Sequence, residues 1–179
     1  VFLRAEPFMH HLVQEAEARR LPMELILLPV VESAFDPFAY SQAHASGIWQ
    51  FIPGTARRFG LEQNWWYDGR RDVIASTNAA LDYLATLNRM FDGDWLHALA
   101  SYNAGEGSVQ KAIRRNRKAG LSESFWTLKL PRETTDYVPR LLALAQIVAD
   151  PARYQMRLPY IPDAPRIAVL ELDGQLDLH

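Results

Sequence analysis

The chain has 179 residues, of which 49% are hydrophobic and 22% charged, with a formal net charge of -2 and no cysteine. This length and composition predict one well-buried globular domain and exclude a disordered chain. The near-neutral charge gives no reason to expect nucleic acid as a partner, and the lack of cysteine excludes disulfides and thiolate metal sites.

Prolines mark the first helical segments. Pro7 suits a first helical turn, after which apolar residues recur at a spacing of four. Pro22 opens a second segment, whose LILLPVV core is apolar all round and therefore predicts a buried helix that is far too short to span a bilayer. Pro29 lies inside this run, and we expect it to kink the helix or to end its regular hydrogen bonding just before Glu32.

Capping signals mark the helices in the middle of the chain. Asp72 predicts the N-cap of a long helix, and Asp94 predicts the N-cap of WLHALASYNA, which stops at Gly105. A helix then runs through VQKAIRR, and we interpret the basic residues at 111–118 as its solvated end, where cations complement the helix dipole. A last helix covers RLLALAQIVAD, with Pro139 in its first turn.

The C-terminal tail has a different composition. It carries three prolines at positions 159–165, then the strand-like run IAVLEL and an Asp-Gly turn signal. We therefore predict an all-α globular domain over residues 1–150. Residues 151–179 are expected to form an extended Pro-rich arm, which packs on this domain or leads towards further sequence.

Glu32 is a lone carboxylate in an apolar stretch, and two interpretations compete. In the first, it is a buried acid paired with an arginine or with backbone donors, as buried charges usually are. In the second, burial without a cation raises the pKa of the carboxyl group. A carboxyl of that kind holds a proton near neutral pH and can donate it to a leaving oxygen as a general acid.

The surroundings of Glu32 favour a sugar as ligand. Uncharged polar side chains lie among aromatic residues here: Ser41, Gln50, Tyr102 and Asn103. Hydroxyls and amides beside aromatic rings suit a neutral ligand that is rich in hydroxyl groups. The chain lacks the glycine-rich loop of a phosphate site, the ligand spacing of a metal site and the Gly-x-Ser-x-Gly motif of a serine nucleophile.

The tryptophans near these residues are ambiguous. Trp49 favours a core position, because tryptophan is highly buried on average. Trp65 and Trp66 precede Tyr67 in a predicted loop, so an exposed, sugar-binding position and a buried one stay open for this pair.

Several segments resemble the lytic transglycosylase superfamily with a goose-type-lysozyme-like fold. They are ESAF at 32–35, ASGIWQ at 45–50, P-x-T-A at 53–56 and ASYNAG at 100–105. The segments LLPVVESAFDP, YDGRRDVIAST, FDGDW and ETTDYVPRLLAL are most similar to membrane-bound members of this family. The resemblance covers residues 1–160 in one order, which makes it more specific than any single motif.

The resemblance implies peptidoglycan glycan strands as substrate and cleavage of the β-1,4 bond between N-acetylmuramic acid and N-acetylglucosamine, with a 1,6-anhydro product. It implies Glu32 as the catalytic acid/base, Ser41 and Gln50 as substrate contacts, Tyr102 and Asn103 as a pair facing the same cleft, and Tyr137 as a hydrogen-bond donor to the glutamate. It also implies a periplasmic location, with a lipid anchor to the outer membrane in the full-length protein. We expect a monomer without cofactor or metal.

Two alternatives stay open from the sequence. A lysozyme-type muramidase would use water as acceptor and needs a second carboxylate, for which Asp36 is the nearest candidate. Because Pro37 follows it, Asp36 favours a turn or capping role instead. The other alternative is a glycan-binding module without catalytic activity.

A single carboxylate is sufficient if the substrate assists. The 2-acetamido carbonyl can stabilise the anomeric carbon, and the tethered 6-hydroxyl can attack it. In this hypothesis Ser41 or Asn103 steadies the acetamido group, and Gln50 aligns a neighbouring sugar.

Overall fold

The computed structural model describes residues 1–168, which form helices joined by loops. The α-helices are α1 Phe2–Ala18, α2 Leu28–Ser33, α3 Pro53–Arg58, α4 Val73–Met90, α5 Trp95–Ala104, α6 Glu106–Lys118 and α7 Arg132–Ala149. Short 3₁₀ helices cover Met23–Leu27, Phe125–Thr127 and Ala152–Tyr154. In these residues β pairing is limited to isolated bridges, so the all-α prediction is confirmed.

Helix α5 lies at the centre, because it packs against α4, α6 and α7. Helix α4 also packs against α1 and gives the core a row of fully buried leucines: Leu81, Leu84 and Leu87. Burying each such side chain contributes about 1.5–3 kcal/mol. This core holds α5 and α7 in place, and both helices carry residues of the cleft described below.

Aspartates cap the two central helices as predicted. Asp72 Oδ1 accepts a hydrogen bond from the amide of Ala75 at 2.9 Å, at the start of α4. Asp94 Oδ1 accepts from the amides of Leu96 and His97, at 2.8 and 3.1 Å, at the start of α5. Both contacts satisfy amide groups that have no partner within the helix.

The helical run is interrupted before Pro29 and not, as predicted, between Pro29 and Glu32. The 3₁₀ helix Met23–Leu27 gives way to α2, in which Pro29 occupies the first turn. Proline is compatible with this position because the amide it lacks would have no helical partner there. Regular α-helical bonding over 23–33 is therefore restricted to the short α2, which ends just after Glu32.

Two prolines were expected in first helical turns, and both predictions are wrong. Pro7 lies inside α1, which begins at Phe2, and Pro139 lies inside α7, which begins at Arg132. Each helix extends upstream because residues before its proline are buried, such as Ala5 in α1 and Tyr137 in α7. Burial of these faces offsets the backbone hydrogen bond that each proline removes.

The segment after α7 runs back over α1. His10 Nδ1 lies 3.0 Å from Asp163 Oδ1, and Arg166 donates to Glu6 at 3.4 Å. The strand-like run at 167–172 and the turn after it lie almost entirely outside the described residues. The domain boundary after residue 150 stays a prediction. Over residues 1–168, no helix has both the length and the apolar character needed to cross a membrane.

Candidate active site

Glu32 lies in the last turn of α2, where the chain leaves the helix. Ala34 and Phe35 take positive φ values of 53° and 58°, which turn the backbone sharply. The Phe35 ring is fully buried, and Ser33 Oγ donates to the carbonyl of Ile48 at 3.0 Å. The backbone that carries Glu32 is thus fixed by the core on one side and by the following loop on the other.

Tyr137 of α7 makes a direct contact with Glu32. Its hydroxyl donates a hydrogen bond to Glu32 Oε1 at 2.5 Å, between residues that are 105 positions apart in the chain. The Tyr137 ring is buried. Burial, followed by the nearby charge of Glu32, raises the pKa of Tyr137 well above its usual value. Tyr137 is therefore a neutral hydroxyl donor, the contact that the resemblance implied.

Burial raises the pKa of Glu32 to about 7. The hydrogen bond from Tyr137 acts in the opposite direction because it stabilises the carboxylate, and the charge of Glu133 raises the pKa further. Among residues 1–168, no lysine, arginine or histidine forms an ion pair with Glu32. The environment matches the general-acid interpretation and not the paired-acid one.

A cleft of about 570 Å³ opens over Glu32. All the residues that the sequence analysis proposed for the site line this cleft: Glu32, Ser41, Gln50, Tyr102, Asn103 and Tyr137. They come from α2, the loop of residues 39–52, α5 and α7. Tertiary packing therefore brings together side chains that are far apart in sequence.

Ser41 and Gln50 support the loop that forms one wall of the cleft. Ser41 Oγ accepts from the amide of Ala45 at 3.0 Å. Gln50 Nε2 donates to the carbonyls of Gly47 and Ala39, at 2.8 and 3.3 Å. These bonds leave the Ser41 hydroxyl proton and Gln50 Oε1 available to a ligand.

The adjacent pair on α5 is also tied to the cleft walls. The Tyr102 hydroxyl donates to the carbonyl of Trp49 at 2.9 Å. Asn103 Oδ1 accepts from Thr134 Oγ1 at 2.7 Å, and its Nδ2 donates to Glu133 Oε1 at 3.4 Å. Because these bonds join α5 to the loop and to α7, the pair fixes the width of the cleft.

Two carboxylates other than Asp36 accompany Glu32 in the cleft. Asp36 does not line the cleft, whereas Glu106 and Glu133 do. Asp36 Oδ1 accepts from the amide of Phe38 at 2.9 Å, so its predicted turn role is confirmed. Glu133 precedes Tyr137 by four positions, a spacing that puts both residues on one helix face and was a usable signal in ETTDYVP.

Glu106, in the lining of the cleft, is held as a carboxylate. Arg58 Nη1 donates to its Oε1 at 2.7 Å, and the Tyr83 hydroxyl donates to its Oε2 at 3.2 Å. Burial raises its pKa, but hydrogen bonds from its own amide, Arg58 and Tyr83 outweigh burial and lower the pKa overall. Glu32 and Glu106 thus have pKa values shifted in opposite directions, so Glu32 is the candidate proton donor of the two.

Trp49, Trp65 and Trp66 lie in two different environments. Trp49 is fully buried, and its indole Nε1 donates to Thr77 Oγ1 at 2.9 Å, which confirms its core position. Trp65 and Trp66 are 88% and 91% exposed. Neither of the exposed rings lines the cleft.

Comparison with known proteins gives a consistent set of relatives. The family profile described as "Transglycosylase SLT domain" matches residues 12–125. Membrane-bound lytic murein transglycosylase D of Escherichia coli (strain K12) is 52% identical over 178 residues, which are 99% of this chain and 39% of that protein. A protein of Alteromonas sp. (strain M-1) named for tributyltin chloride resistance is 42% identical over 170 residues, 95% of this chain and 80% of that protein.

The fold also matches a solved structure. An inactive mutant of the lytic transglycosylase Slt from Pseudomonas aeruginosa superposes with a TM-score of 0.62 at 29% identity, over 79% of this chain and 24% of that one. This likeness confirms the predicted fold class. The likeness to the Escherichia coli protein confirms the resemblance to membrane-bound members, although the chain spans only 39% of that relative.

Proposed function

Because the chain belongs to the transglycosylase SLT domain family, we propose that it is a peptidoglycan lytic transglycosylase. It cleaves the β-1,4 bond between N-acetylmuramic acid and N-acetylglucosamine and leaves a 1,6-anhydromuramic acid end. The observation that carries this proposal is the state of Glu32: a partly buried carboxyl in the cleft, bonded to Tyr137, with its pKa raised to about 7.

In the first step Glu32 acts as a general acid. With a pKa raised to about 7, Glu32 can hold its proton near neutral pH, where a general acid with such a pKa is effective. Glu32 gives this proton to the bridging oxygen as the bond from the anomeric carbon to that oxygen breaks. The hydroxyl of Tyr137, already directed at Oε1, then stabilises the carboxylate that is left.

In the second step the carboxylate of Glu32 acts as a base. It takes the proton from the 6-hydroxyl of the same muramic acid residue while that oxygen forms a bond to the anomeric carbon. No water is consumed, and Glu32 returns to its protonated form. The acetamido carbonyl stabilises positive charge at the anomeric carbon between the two steps, as in substrate-assisted glycosidases. The tethered nucleophile gives the ring closure a large advantage of proximity.

The polar residues of the cleft position the sugars. Ser41 or Asn103 steadies the acetamido group, and Gln50 aligns a neighbouring sugar through its free Oε1. The Tyr102 hydroxyl bonds the carbonyl of Trp49 and so joins this part of the cleft wall to α5. This division of roles is supported by the bonds that fix each side chain at the cleft wall.

One observation favours a second candidate, a muramidase that uses water. Glu133 is an exposed carboxylate in the same cleft, held by Asn103 at 3.4 Å. A carboxylate in such a position can activate water for hydrolysis. Glu106 suits this role less, because Arg58 and Tyr83 already occupy its oxygens.

Product analysis separates the two candidates. Purified peptidoglycan is digested with the protein, and the released fragments are weighed by mass spectrometry. The proposal predicts muramic acid ends that are one water lighter than hydrolysed ends. Hydrolysed ends in the digest would show that water is the acceptor. A Glu32→Gln control that binds glycan but releases no fragments assigns the products to this cleft.

The location and partners follow from the same family. We place the protein in the periplasm, with peptidoglycan strands as its partner, as a monomer, and with an outer-membrane lipid anchor in the full-length form. Support comes from the relative in Escherichia coli, which is named as membrane-bound. Fractionation of the native host, followed by detection in the outer-membrane fraction, tests this placement.

A further inference from the structure

Trp65 and Trp66 lie in a segment of residues 61–72, here called the tryptophan loop. Their exposed fractions are 88% and 91%, whereas Trp49 in the core is fully buried. Two neighbouring indole rings in water form an apolar patch that contributes nothing to the core. A contiguous exposed apolar patch on a soluble domain often marks a binding surface.

Hydrogen bonds order the backbone of the loop that carries the two rings. Asn64 Oδ1 accepts from the amides of Trp66 and Tyr67, at 2.9 and 2.8 Å. The Tyr67 hydroxyl donates to Asp72 Oδ2 at 2.9 Å, and the amide of Gly69 donates to the carbonyl of Glu62 at 2.8 Å. Because the backbone is already ordered, binding to the rings costs little conformational entropy.

The same loop is attached to the wall of the catalytic cleft. Arg70 Nη1 donates to the carbonyls of His44 and Phe51, at 2.7 and 3.3 Å. Arg71 Nε donates to Ser46 Oγ at 3.1 Å. Phe51 lines the cleft, so hydrogen bonds join the tryptophan loop directly to the cleft wall.

The chemistry beside the two rings indicates a neutral polyhydroxyl ligand. They line a surface hollow of about 480 Å³ together with polar side chains that include Asn64, Asp68 and Asp72. Indole faces stack on the apolar faces of sugar rings, while amides and carboxylates bond sugar hydroxyls.

The charges of the loop argue against a polyanionic ligand. Arg70 is neutralised by Asp68 at 2.7 Å, and Arg71, the other cation of residues 61–72, is outnumbered by Glu62 and Asp72. An anionic lipid surface or a nucleic acid would require excess positive charge here.

We propose that Trp65 and Trp66 form an accessory glycan-binding surface, which holds a polysaccharide strand outside the catalytic cleft. The identity of the glycan as peptidoglycan rests on the proposed function. A long strand that contacts both the cleft and this surface gains affinity from their fixed spacing, because the second contact is intramolecular. A short oligosaccharide occupies only the cleft and gains no affinity from the second surface.

The test measures binding to purified, insoluble peptidoglycan by sedimentation in the Glu32→Gln background. The double variant Trp65→Ala/Trp66→Ala is compared with Trp126→Ala, which removes an indole that is also exposed, at 61%, but lies on the 3₁₀ helix Phe125–Thr127. Losing both anchors is expected to weaken binding about tenfold, while the control stays within about twofold. Retention of binding by Trp65→Phe/Trp66→Phe supports a stacking role, since the aromatic faces remain.

Two further arms identify the ligand. An N-acetylglucosamine trimer should bind all variants equally, because it reaches the cleft only. Vesicles of phosphatidylethanolamine and phosphatidylglycerol should bind none of them. Equal peptidoglycan binding by the double variant and the Trp126→Ala control overturns the proposal. Vesicle binding that disappears in the double variant also overturns it, in favour of a lipid partner. Anhydro products from the parent enzyme combined with either result would leave the proposed function intact.

Discussion

At the residue scale, the properties of Glu32 come from what surrounds it. The carboxyl group is partly buried at the end of α2, it has one hydroxyl donor in Tyr137, and it has a like charge in Glu133. Burial disfavours the carboxylate form of Glu32. In the described part of the chain, no cationic side chain forms an ion pair with Glu32 that would reverse this effect. The Glu32 carboxyl therefore has a pKa of about 7.

Tyr137→Phe tests how this pKa is set. The hydroxyl donates to Glu32 Oε1 at 2.5 Å and lowers the pKa of Glu32. Removing it should raise that pKa above about 7 and move the alkaline limb of the pH–rate profile to higher pH. The profile of kcat/KM against pH on soluble glycan strands measures this shift.

Tyr83→Phe is the matched control, because its hydroxyl bonds Glu106 instead of Glu32. An alkaline limb that stays in place in Tyr137→Phe, or moves to lower pH, would contradict the account of Glu32.

The raised pKa of Glu32 also predicts how stability depends on pH. An unperturbed glutamate titrates at 4.5, whereas Glu32 in the folded protein titrates at about 7. Between these pH values the folded state keeps a proton that the unfolded chain has lost. The free energy of unfolding therefore falls as pH rises through this window, by on the order of 3 kcal/mol in total.

Glu32→Gln removes this decrease. The variant should be more stable than the parent at about pH 8, with a smaller difference at about pH 4, in urea denaturation followed by circular dichroism. A variant that is less stable than the parent at the higher pH would show that the carboxylate is stabilised in the fold.

At the scale of elements, the loop of residues 39–52 depends on Gly47. This residue has a φ of +81°, and a Cβ atom added to it would lie 1.8 Å from the carbonyl oxygen of Arg70. Gly47→Ala should therefore destabilise the protein by about 2–4 kcal/mol, through backbone strain and overlap. It should also lower activity, since Gln50 bonds the carbonyl of Gly47.

Gly54 provides the comparison for this substitution. A Cβ atom at Gly54 meets nothing within 4 Å, so Gly54→Ala in α3 should leave stability unchanged or raise it by up to about 1 kcal/mol. Thermal unfolding of both variants measures the contrast. Similar melting temperatures for the two variants would show that the close approach of the Arg70 carbonyl is not the reason for glycine at position 47.

Local chemistry made the boundaries of several elements predictable from sequence. The caps at Asp72 and Asp94 were correct because each depends on a few neighbouring atoms. The predicted starts of α1 and α7, at Pro7 and Pro139, were wrong because burial of upstream residues decides where these helices begin. Tertiary packing outweighed the local preference of proline in both helices.

The candidate site was predictable in its residues and less so in its contacts. Motif resemblance pointed to Glu32 and its five polar companions, all of which line the cleft. Sequence spacing gave no indication that Ser41 and Gln50 use part of their hydrogen-bonding capacity on the loop itself. Glu106 was missed because its place at the cleft depends on Arg58 and Tyr83, which are 48 and 23 residues away.

At the scale of the whole molecule, one core supports both walls of the cleft. Helices α5 and α7 pack on each other and carry Asn103 and Tyr137, while the loop wall is anchored by the buried Trp49. The arm after α7 contacts α1 through Asp163 and Arg166, on residues that do not line the cleft. The catalytic geometry should therefore be independent of the arm.

A chain that ends at Asp150 tests the proposed domain boundary. It should unfold in one cooperative transition and release peptidoglycan fragments at a rate within about twofold of the parent. Circular dichroism melting and a fragment-release assay are the two measurements. Loss of the cooperative transition would mean that the arm belongs to the folded domain.

The central claim is that one proton on Glu32 drives the cleavage, and the rate of fragment release from purified peptidoglycan tests it most directly. Glu32→Gln keeps the size of the side chain but has no proton to exchange, so its rate should fall by about 10²–10⁴-fold. Asp36→Asn, which alters a carboxylate that bonds the turn at Phe38 and lies outside the cleft, should release fragments at the parent rate. Release by Glu32→Gln at the parent rate would contradict the account.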